Sequence, residues 1–324
     1  MGREKGMSSP RKLYEMIKRL GYPEEIAKAF GEIPREEFVE VEFRDAYSDS
    51  ALLSYKGENF YSTSSQPSLM AEFMRDVGLR KGMKVLEIGG GTGYNAAVMS
   101  KVVGEEGLIV SIEYEKELAN LAEKNLKKLS IENVLFVVGD GYYGYSSLAP
   151  YDVIFATVGI DEIPKYWIDQ LSDGGKIIAP MNLKSISYYQ PAILFKKSGD
   201  FLAGIYKSAT NFIKASGMLG NLNERLLKNF QICESYLEKI SMPSISMPIL
   251  EILTASIGKI GTEYFFVDEG CSTVYKDSEW LMCKECLRLK KAVDSLEKAN
   301  FPDLMSSEFA FNSKRTDFWV ERIF

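Results

Sequence analysis

Between residues 84 and 180, short apolar segments alternate with amphipathic segments, and this alternation constrains the fold more than any other feature. The apolar segments have the length of strands: Lys84–Ile88, Leu108–Glu113, Val134–Val138, Val153–Ala156 and Lys176–Ala179. The segments between them carry apolar residues at helical spacing: Thr92–Val102, Lys116–Leu129 and Pro164–Leu171. Strands that are apolar throughout are typical of parallel sheets covered by helices. The sequence therefore predicts an α/β fold with a doubly wound, mostly parallel sheet.

The regions that flank this series predict further elements. We expect amphipathic helices within 10–31, a helical turn within 33–38 and a helix at Ser68–Val77, whereas residues 44–66 are expected to be irregular. Ala192–Lys196 and Leu202–Phe212 are candidates for antiparallel edge strands. We therefore predict one domain over residues 1–214, with a helical part at 1–78 and a βα core at 79–214.

After residue 214 the pattern changes and predicts a second, smaller α+β domain at 215–324. Its expected elements are a helix at Glu224–Ile240, a linker at Ser241–Pro248, a hairpin of Glu263–Val267 with Thr273–Tyr275, and a long helix at 279–299. That helix would include Cys283 and Cys286, a CxxC pair without the further ligands of a zinc site. Both are interpreted as ordinary helix cysteines.

The composition excludes several functional classes. The chain has 324 residues, a net charge of −6 and no histidine. The acidic balance argues against a nucleic-acid partner. No apolar run reaches the ~18–20 residues of a membrane span, and no signal peptide is visible, so we expect a cytoplasmic protein without a membrane partner. The lack of histidine excludes Ser-His-Asp and Cys-His nucleophile systems and most catalytic zinc sites, so no metal is expected.

A glycine-rich turn joins the first strand of the series to its helix, within VLEIGGGTGYNAA at 85–97. Gly89, Gly91 and Gly93 follow Glu87 in a G-x-G-x-G spacing, which differs from the G-x-G-x-x-G of dinucleotide binders. Glycines permit a tight turn, and the helix N-terminus attracts an anionic group. Glu87 would repel a pyrophosphate and attract an ammonium group. The turn therefore favours S-adenosylmethionine (AdoMet), and an NAD-dependent oxidoreductase is the less favoured alternative.

Two further acids stand at the carboxyl ends of the next two strands. Glu113 ends the second strand, where a ribose diol needs an acceptor, and Asp140 follows the third strand beside Gly141, within reach of an adenine amino group. Open α/β sheets bind ligands at these strand ends, so the three acids are expected to line one cofactor site. Taken singly, Glu113 and Asp140 are also compatible with helix caps or loop charges.

The chain resembles the protein-L-isoaspartate O-methyltransferases over roughly residues 25–213. The resemblance is carried by IPREEFV at 33–39, AYSDSALLS at 46–54, STSSQPSLMA at 62–71, VLEIGGGTGYNAAVMS at 85–100, GDGYYG at 139–144 and APYDVIFATVGIDEIP at 149–164. STSSQP distinguishes this family from methyltransferases in general. The resemblance implies a Rossmann-like AdoMet-dependent methyltransferase of the bacterial type that has an extra C-terminal domain.

The resemblance also implies a reaction. AdoMet would donate its methyl group to the free α-carboxylate of L-isoaspartyl (or D-aspartyl) residues in damaged proteins and peptides, leaving S-adenosyl-L-homocysteine and starting repair through a succinimide. The family's active-site serine corresponds to Ser65, with Thr63 and Ser64 beside it at the substrate. The alternative for Ser65 is a helix N-cap. An ionised carboxylate needs no general base, which suits a chain without histidine.

The sequence departs from the family at two positions. Asn211, in ATNFIKA at 209–215, stands where family members commonly have arginine in Val-Arg-Phe-Val-Pro-Leu, and this weakens the prediction of peptide recognition at that edge. Gly90, where the family often has threonine or serine, is interpreted as a minor change. Two alternatives stay open. One is a methyltransferase with another acceptor, such as a small carboxylic acid or RNA, and the other is a non-catalytic AdoMet-binding or protein-binding module.

Overall fold

The computed structural model describes residues 9–40, 46–230, 236–260, 262–268, 271–276, 278–283 and 286–323. The chain divides into two compact units. The first contains the described residues up to Val158 together with Gln170–Ser172 and Lys176–Ile178, and the second contains Gly159–Asp169, Asp173–Gly175 and the described residues from Ala179 onwards. The predicted domain boundary after residue 214 lies inside the second unit and stays a prediction.

The first unit contains the βα series and the helices that precede it. Its helices are α1 (Pro10–Arg19), α2 (Glu24–Glu32), α3 (Pro67–Val77), α4 (Tyr94–Val103) and α5 (Lys116–Lys128). Its strands are β1 (Leu52–Lys56), β2 (Tyr61–Ser64), β3 (Lys84–Ile88), β4 (Leu108–Glu113), β5 (Val134–Val138), β6 (Tyr151–Ala156) and part of β7 (Leu171–Pro180). Two 3-10 turns, Gly141–Tyr143 and Ser146–Leu148, follow β5.

The sheet of the first unit is parallel, with the strand order β7-β6-β3-β4-β5. Ile88 pairs with Ile112 on one side and with Ala156 on the other, and Glu113 pairs with Val138. The carboxyl ends of the four strands β3 to β6 are therefore level. The predicted mostly parallel α/β sheet is confirmed.

The prediction that residues 44–66 are irregular is wrong for 52–64, because β1 and β2 form an antiparallel hairpin there. Residues 44 and 45 lie outside the described residues. The buried side chains of this hairpin are Ser54, Ser62 and Ser64. Since its inward positions carry serines in place of apolar residues, the alternation that marks a strand is missing from the sequence.

The second unit contains the remaining elements and is largely antiparallel. Its helices are α6 (Lys165–Gln170, whose last residue belongs to the first unit), α7 (Leu222–Lys228), α8 (Met247–Thr254) and α9 (Leu287–Lys298). Its strands are β8 (Gln190–Ser198), β9 (Phe201–Thr210), β10 (Tyr236–Ser241), β11 (Ile257–Ile260), β12 (Glu263–Asp268), β13 (Cys271–Lys276), β14 (Glu279–Cys283), β15 (Ser307–Asn312) and β16 (Phe318–Arg322).

The strands of the second unit form two antiparallel groups, with the orders β16-β15-β9-β8 and β10-β14-β13-β12-β11. The predicted antiparallel pairing of β8 with β9 and the predicted hairpin of β12 and β13 are confirmed. The prediction that this pair supplies the edge strands is wrong, because β15 pairs with the other side of β9 and β16 follows it. Residues 269–270 at the tip of that hairpin lie outside the described residues. In the parts of the chain that the structure covers, no helix is both long and apolar enough to span a membrane.

Two long helices predicted in this region are wrong. Within Glu224–Ile240, α7 ends at Lys228 and β10 begins at Tyr236, while 231–235 lie outside the described residues. Within 279–299, strand β14 precedes α9, because Trp280 and Met282 are buried with the period of a strand. Cys283 therefore ends a strand, and Cys286, which is disulfide-bonded, precedes the helix.

The predicted linker Ser241–Pro248 is also wrong at its end, because α8 begins at Met247 with Pro248 in its first turn. Proline is favoured at this position because its missing N–H has no partner there in any helix. All eight residues of α8 are buried, which explains why the segment lacks an amphipathic pattern.

Candidate active site

The turn between β3 and α4 depends on three glycines in the left-handed region. Gly89, Gly91 and Gly93 have φ values of 91°, 55° and 95°. The N–H groups of Gly89 and Gly90 donate to the carbonyl of Ile112 at 2.9 and 3.2 Å. Residues with a Cβ rarely adopt such φ values, so the glycines are required by the backbone itself. The turn is thereby held against the end of β4, where the next acid lies.

Glu113 connects the end of β4 to the glycine turn. Its Oε2 accepts from the N–H of Gly91 at 2.8 Å, and its Oε1 accepts from the N–H of Glu115 at 3.0 Å. The side chain is buried, and burial raises its pKa although these backbone hydrogen bonds act in the opposite direction. Each carboxylate oxygen has two lone pairs, so capacity remains for two further donors such as the hydroxyls of a ribose.

Asp140 lies at the next strand end and starts the 3-10 turn that contains Gly141. Its Oδ1 accepts from the N–H of Tyr142 at 3.0 Å, so the carboxylate acts as a cap. The N–H of Gly139 donates to the carbonyl of Glu113 at 2.9 Å. This hydrogen bond brings the two acids to adjacent strand ends, as the sequence predicts. Asp140 is half-buried, and a carboxylate accepts several donors at once, which suits an exocyclic amine.

Glu87 differs from the other two acids because its side chain has no exposed surface. Its Oε1 accepts from Asn95 Nδ2 at 2.7 Å and its Oε2 accepts from Ser111 Oγ at 2.5 Å. Burial raises its pKa to about 7, against the effect of these two hydrogen bonds. The predicted direct contact of Glu87 with an ammonium group therefore needs correction, because a ligand cannot reach a side chain that no solvent reaches. Its charge can still act through the intervening turn.

The serine-rich strand β2 lies beside the glycine turn. A Cβ placed on Gly91 would lie 3.0 Å from Ser62 Oγ, which puts the hydroxyl of this buried serine next to the turn. Thr92 Oγ1 also donates to the carbonyl of Phe38 at 2.8 Å, and the Phe38 ring lies 5.5 Å from the ring of Tyr94. Segments that are separate in sequence are thus joined around one turn.

Arg35 is the main residue that the sequence reasoning missed, although its segment IPREEFV was recognised. The side chain is fully buried and burial lowers its pKa. Its guanidinium donates to the backbone carbonyls of Ser48 and Ser50, each at 2.9 Å, and of Ser64 and Ser65 at 3.0 and 2.9 Å. A fixed fork of N–H donors is suited to such a set of acceptors. An isolated arginine in a polar-looking segment gives no sequence signal for this role.

Ser64 and Thr63 are placed differently from Ser65. The Ser64 hydroxyl is buried and accepts from Arg35 Nε at 3.1 Å, which supports a structural role in place of the predicted substrate contact. Thr63, between two buried serines of β2, is half-buried. Ser65 follows the strand and is half-buried. Within the described part of the chain, its hydroxyl makes no hydrogen bond, so it is available to a ligand.

The alternative that Ser65 caps α3 is not supported. The N-cap position is occupied by Gln66, whose side chain makes no capping hydrogen bond. The N–H of Ser68 instead donates to Asp49 Oδ1 at 2.9 Å, and Gln66 Nε2 donates to Asp49 Oδ2 at 3.1 Å. Asp49 therefore satisfies the helix terminus from a distant segment, and Ser65 is left for another purpose.

The family model for protein-L-isoaspartate(D-aspartate) O-methyltransferase matches residues 8–219 of the chain. The chain belongs to this family. A protein-L-isoaspartate O-methyltransferase of Thermotoga maritima is 52% identical over 260 residues, which cover 78% of this chain and 81% of the relative. The predicted family, the enzyme class and the predicted O-methylation of isoaspartyl residues are confirmed.

Solved structures extend the similarity to isoaspartate methyltransferases beyond residue 219. One protein-L-isoaspartate O-methyltransferase matches with a TM-score of 0.91 and 42% identity, over 97% of this chain and 100% of the other. A Plasmodium falciparum structure described as a putative member, in complex with S-adenosyl-L-homocysteine, has a TM-score of 0.55 and 20% identity, over 64% of this chain and 98% of the other. The second match supports the fold alone, whereas the first includes the second unit.

Gly90 is the family departure that the structure reinterprets. A Cβ on Gly90 would lie 2.2 Å from Ser111 Oγ and 2.6 Å from the Phe136 ring. No side chain fits in that space while Ser111 holds Glu87. The interpretation of Gly90 as a minor change is therefore wrong. In this chain, the space beside Gly90 is filled by the Phe136 ring and by Ser111, whose hydroxyl donates to the buried Glu87.

Proposed function

We propose that the chain transfers the methyl group of AdoMet to the free α-carboxylate of L-isoaspartyl residues in damaged proteins and peptides, with Ser65 orienting that carboxylate. One observation carries the proposal. The Ser65 hydroxyl, which makes no hydrogen bond within the described residues, follows strand β2, and Ser62 of that strand lies beside a turn of three positive-φ glycines that Glu113 holds at Gly91. We further propose that this takes place in the cytoplasm, without a metal and without a nucleic-acid or membrane partner.

The residues present fit AdoMet in both shape and charge. Because the turn has glycines at positions 89, 91 and 93, no side chain there keeps a ligand away from its backbone. Glu113 would accept the ribose hydroxyls, and Asp140 with Gly141 would hold the adenine edge. When bound, AdoMet supplies a methyl group on a positively charged sulfur. The negative charges of this edge favour such a cation over a diphosphate.

Glu87 contributes through its charge. It is buried behind the turn that carries Gly89, Gly91 and Gly93, and its two hydrogen bonds hold the carboxylate in place. Because buried charges are screened little, its field extends to a ligand that it does not touch. In the deprotonated state it stabilises a bound cation, and in the protonated state it does not.

The acceptor side requires orientation more than acid–base chemistry. An α-carboxylate has a pKa of about 3.3–3.7 and is already ionised near pH 7, so no side chain has to remove a proton. The Ser65 hydroxyl would donate to this carboxylate, while Arg35 fixes the Ser65 carbonyl. Such positioning lowers a barrier by about 7–11 kcal/mol in favourable cases. Electrostatics and orientation by this chain therefore account for catalysis without histidine.

The direct test is transfer of labelled methyl from AdoMet to two peptides that differ only in isoaspartate or aspartate. We expect incorporation into the isoaspartyl peptide alone. Ser65→Ala should reduce kcat by about 100-fold, as expected for a lost orienting hydrogen bond, with little change in AdoMet affinity. Ser146→Ala, at an exposed serine outside the site, is the matched control. Equal labelling of both peptides, or equal loss of turnover and AdoMet binding in Ser65→Ala, would contradict the proposal.

A further inference from the structure

A separate cavity of about 680 Å³ lies among residues of the second unit. Its size falls within the ~300–1,000 Å³ of ordinary ligand sites. The lining includes Asp161, Asn182, Lys184, Gln190, Lys214 and Lys259. None of the residues assigned to the cofactor or to Ser65 contributes to this lining.

Asp161, the acid in this lining, is fully engaged with its neighbours. Its side chain has no exposed surface. Its Oδ1 accepts from Asn182 Nδ2 at 3.0 Å, and its Oδ2 accepts from the N–H of Leu222 at 3.2 Å. Lys184 Nζ lies 3.2 Å and Lys214 Nζ 3.9 Å from the same Oδ2. The carboxylate therefore serves to hold the lysines and is not open to a ligand.

The lysines of the cavity outnumber its acid. The described lining contains Lys184, Lys214 and Lys259 and one carboxylate, which gives it a formal charge of 3 − 1 = +2. Among the described residues, Lys259 Nζ donates to a neutral carbonyl, that of Lys184 at 3.3 Å, and lies 5.1 Å from the ring centroid of Tyr264. A concave surface with a net charge of one sign concentrates ions of the opposite sign. The net positive charge of the described lining therefore favours an anionic group.

Hydrogen bonds hold the polar frame of the cavity in one arrangement. Gln190 donates from Nε2 to Asn182 Oδ1 at 2.7 Å and accepts at Oε1 from the N–H of Phe212 at 2.6 Å. The buried Glu251 accepts from the N–H groups of Lys184 and Ser185 at 2.6 and 2.8 Å. Since these side chains are fixed before any ligand arrives, little ordering free energy is lost on binding.

The rim of the cavity suits a polypeptide. Tyr188 is 84% exposed and its ring centroid lies 4.9 Å from that of Tyr189. Asn211, the residue that departs from the family pattern, is an exposed amide in the same lining. Aromatic faces and amides are typical partners of peptide groups and their side chains. A cavity of this size encloses a few groups and does not follow a long phosphate backbone, and the chain's net charge of −6 also disfavours a polyanion.

We propose that this cavity binds carboxylate side chains of a polypeptide substrate, so that the enzyme favours isoaspartyl sites in acidic segments. The identity of the polypeptide as an isoaspartyl substrate rests on the proposed function. The existence of an anion site in the cavity does not depend on that function.

The first experiment measures binding without methyl transfer. A fluorescent peptide with four Asp and Glu residues, and its Asn and Gln counterpart, both without isoaspartate, are titrated with the full chain by anisotropy. The acidic peptide should bind about tenfold more tightly, which corresponds to about 1.4 kcal/mol. Lys214→Glu/Lys259→Glu should abolish this preference. Lys314→Glu, at an exposed lysine of the same unit outside the lining, should retain it. Circular dichroism verifies that each variant is folded.

The second experiment connects the cavity to the reaction. Isoaspartyl peptides with acidic or neutral flanks are compared by kcat/KM, and the double variant should lower the acidic-to-neutral ratio about tenfold through KM. Acidic preference in binding without any methyl transfer would overturn the proposed function and leave the anion site. Methyl transfer with equal binding of both peptides, or tighter binding of an RNA oligonucleotide than of the acidic peptide, would overturn the inference.

Discussion

The guanidinium of Arg35 donates from Nε to Ser64 Oγ at 3.1 Å, and this hydrogen bond joins two segments 29 residues apart. The same group donates to the carbonyls of Ser64 and Ser65, so the end of β2 is held by three hydrogen bonds from one buried side chain. The position of the Ser65 hydroxyl therefore depends on a residue that has no contact with the reaction itself. Arg35 is a positioning residue.

Replacing Arg35 with lysine tests this relationship. Arg35→Lys keeps the charge but cannot serve the same set of carbonyls, so we expect a loss of about 2–4 kcal/mol in the free energy of unfolding. Turnover should fall more than AdoMet affinity, because Ser65 loses its fixed position. Urea denaturation and methyl-transfer kinetics at a temperature where the variant is folded measure both effects. Arg11→Lys, at an exposed arginine of α1, should change neither.

Glu113 offers a test of the cofactor cradle. In the native protein, Glu113 Oε2 accepts from the N–H of Gly91. Glu113→Gln removes the negative charge and replaces one of the two acceptor oxygens with an amide group. We expect AdoMet affinity to fall by about 10–100-fold, as for the loss of a charge-assisted hydrogen bond, with kcat at saturation less affected. Calorimetric titration measures the affinity. Glu123→Gln, on the exposed face of α5, is the control, and a similar loss in both variants would argue against a ribose contact.

Glu87 predicts a specific pH dependence of stability. Its pKa is raised from 4.5 to about 7 by burial, so the folded protein holds a proton that the unfolded chain releases between these values. The stabilisation from this group is complete below about pH 4.5 and is lost as the pH rises towards about 7. Relative to Glu87→Gln, the wild type should lose about 3 kcal/mol across this window, as measured by urea denaturation at a series of pH values.

The same titration should affect cofactor binding in the opposite direction. The affinity for AdoMet should rise as Glu87 becomes charged near pH 7, because a carboxylate stabilises the bound cation. Glu87→Gln should bind with an affinity that changes less over this range. If the wild type and Glu87→Gln had the same pH profile for stability and the same pH profile for AdoMet binding, Glu87 would not titrate in this window.

Gly90 tests the packing of the glycine turn. Gly90→Ser would place Cβ 2.2 Å from Ser111 Oγ and should cost about 1–3 kcal/mol of stability, in the range of overpacked buried sites. Gly139→Ser is the matched control, because a Cβ at Gly139 meets no atom within 4 Å. Thermal unfolding followed by circular dichroism distinguishes the two. If Gly90→Ser were as stable as Gly139→Ser, the buried network around Ser111 would have to rearrange readily.

The cofactor half of the site was predictable because it depends on order along the chain. Glu113 and Asp140 follow strands that are apolar throughout, and parallel strands bring their carboxyl ends to one edge. The residues on the substrate side of the site are harder to predict from the sequence. Ser65 is identified through a resemblance. Arg35, which holds the Ser65 carbonyl, and Asp49, which caps the helix that follows, stand in separate segments and have no pattern of their own.

In the region after residue 214, local sequence patterns do not decide between a helix and a strand. The apolar residues near Trp280 and Met282 fit a helix and a strand equally well in a short segment, and antiparallel pairing of β14 with β10 and β13 decided between them. The sequence also does not predict the lysine-lined cavity, because Lys184, Lys214 and Lys259 are widely spaced along the chain.

The sequence by itself determined the βα alternation, the glycine turn and the acids at the strand ends, because periodicity and strand order act over short distances along the chain. Only the tertiary structure decided that Glu87 is enclosed, that Asp49 and not Ser65 caps α3, and that Gly90 has no room for a side chain. Those outcomes depend on which residues from distant segments share a space. Burial and hydrogen-bond saturation are properties of that shared space and have no counterpart in local sequence.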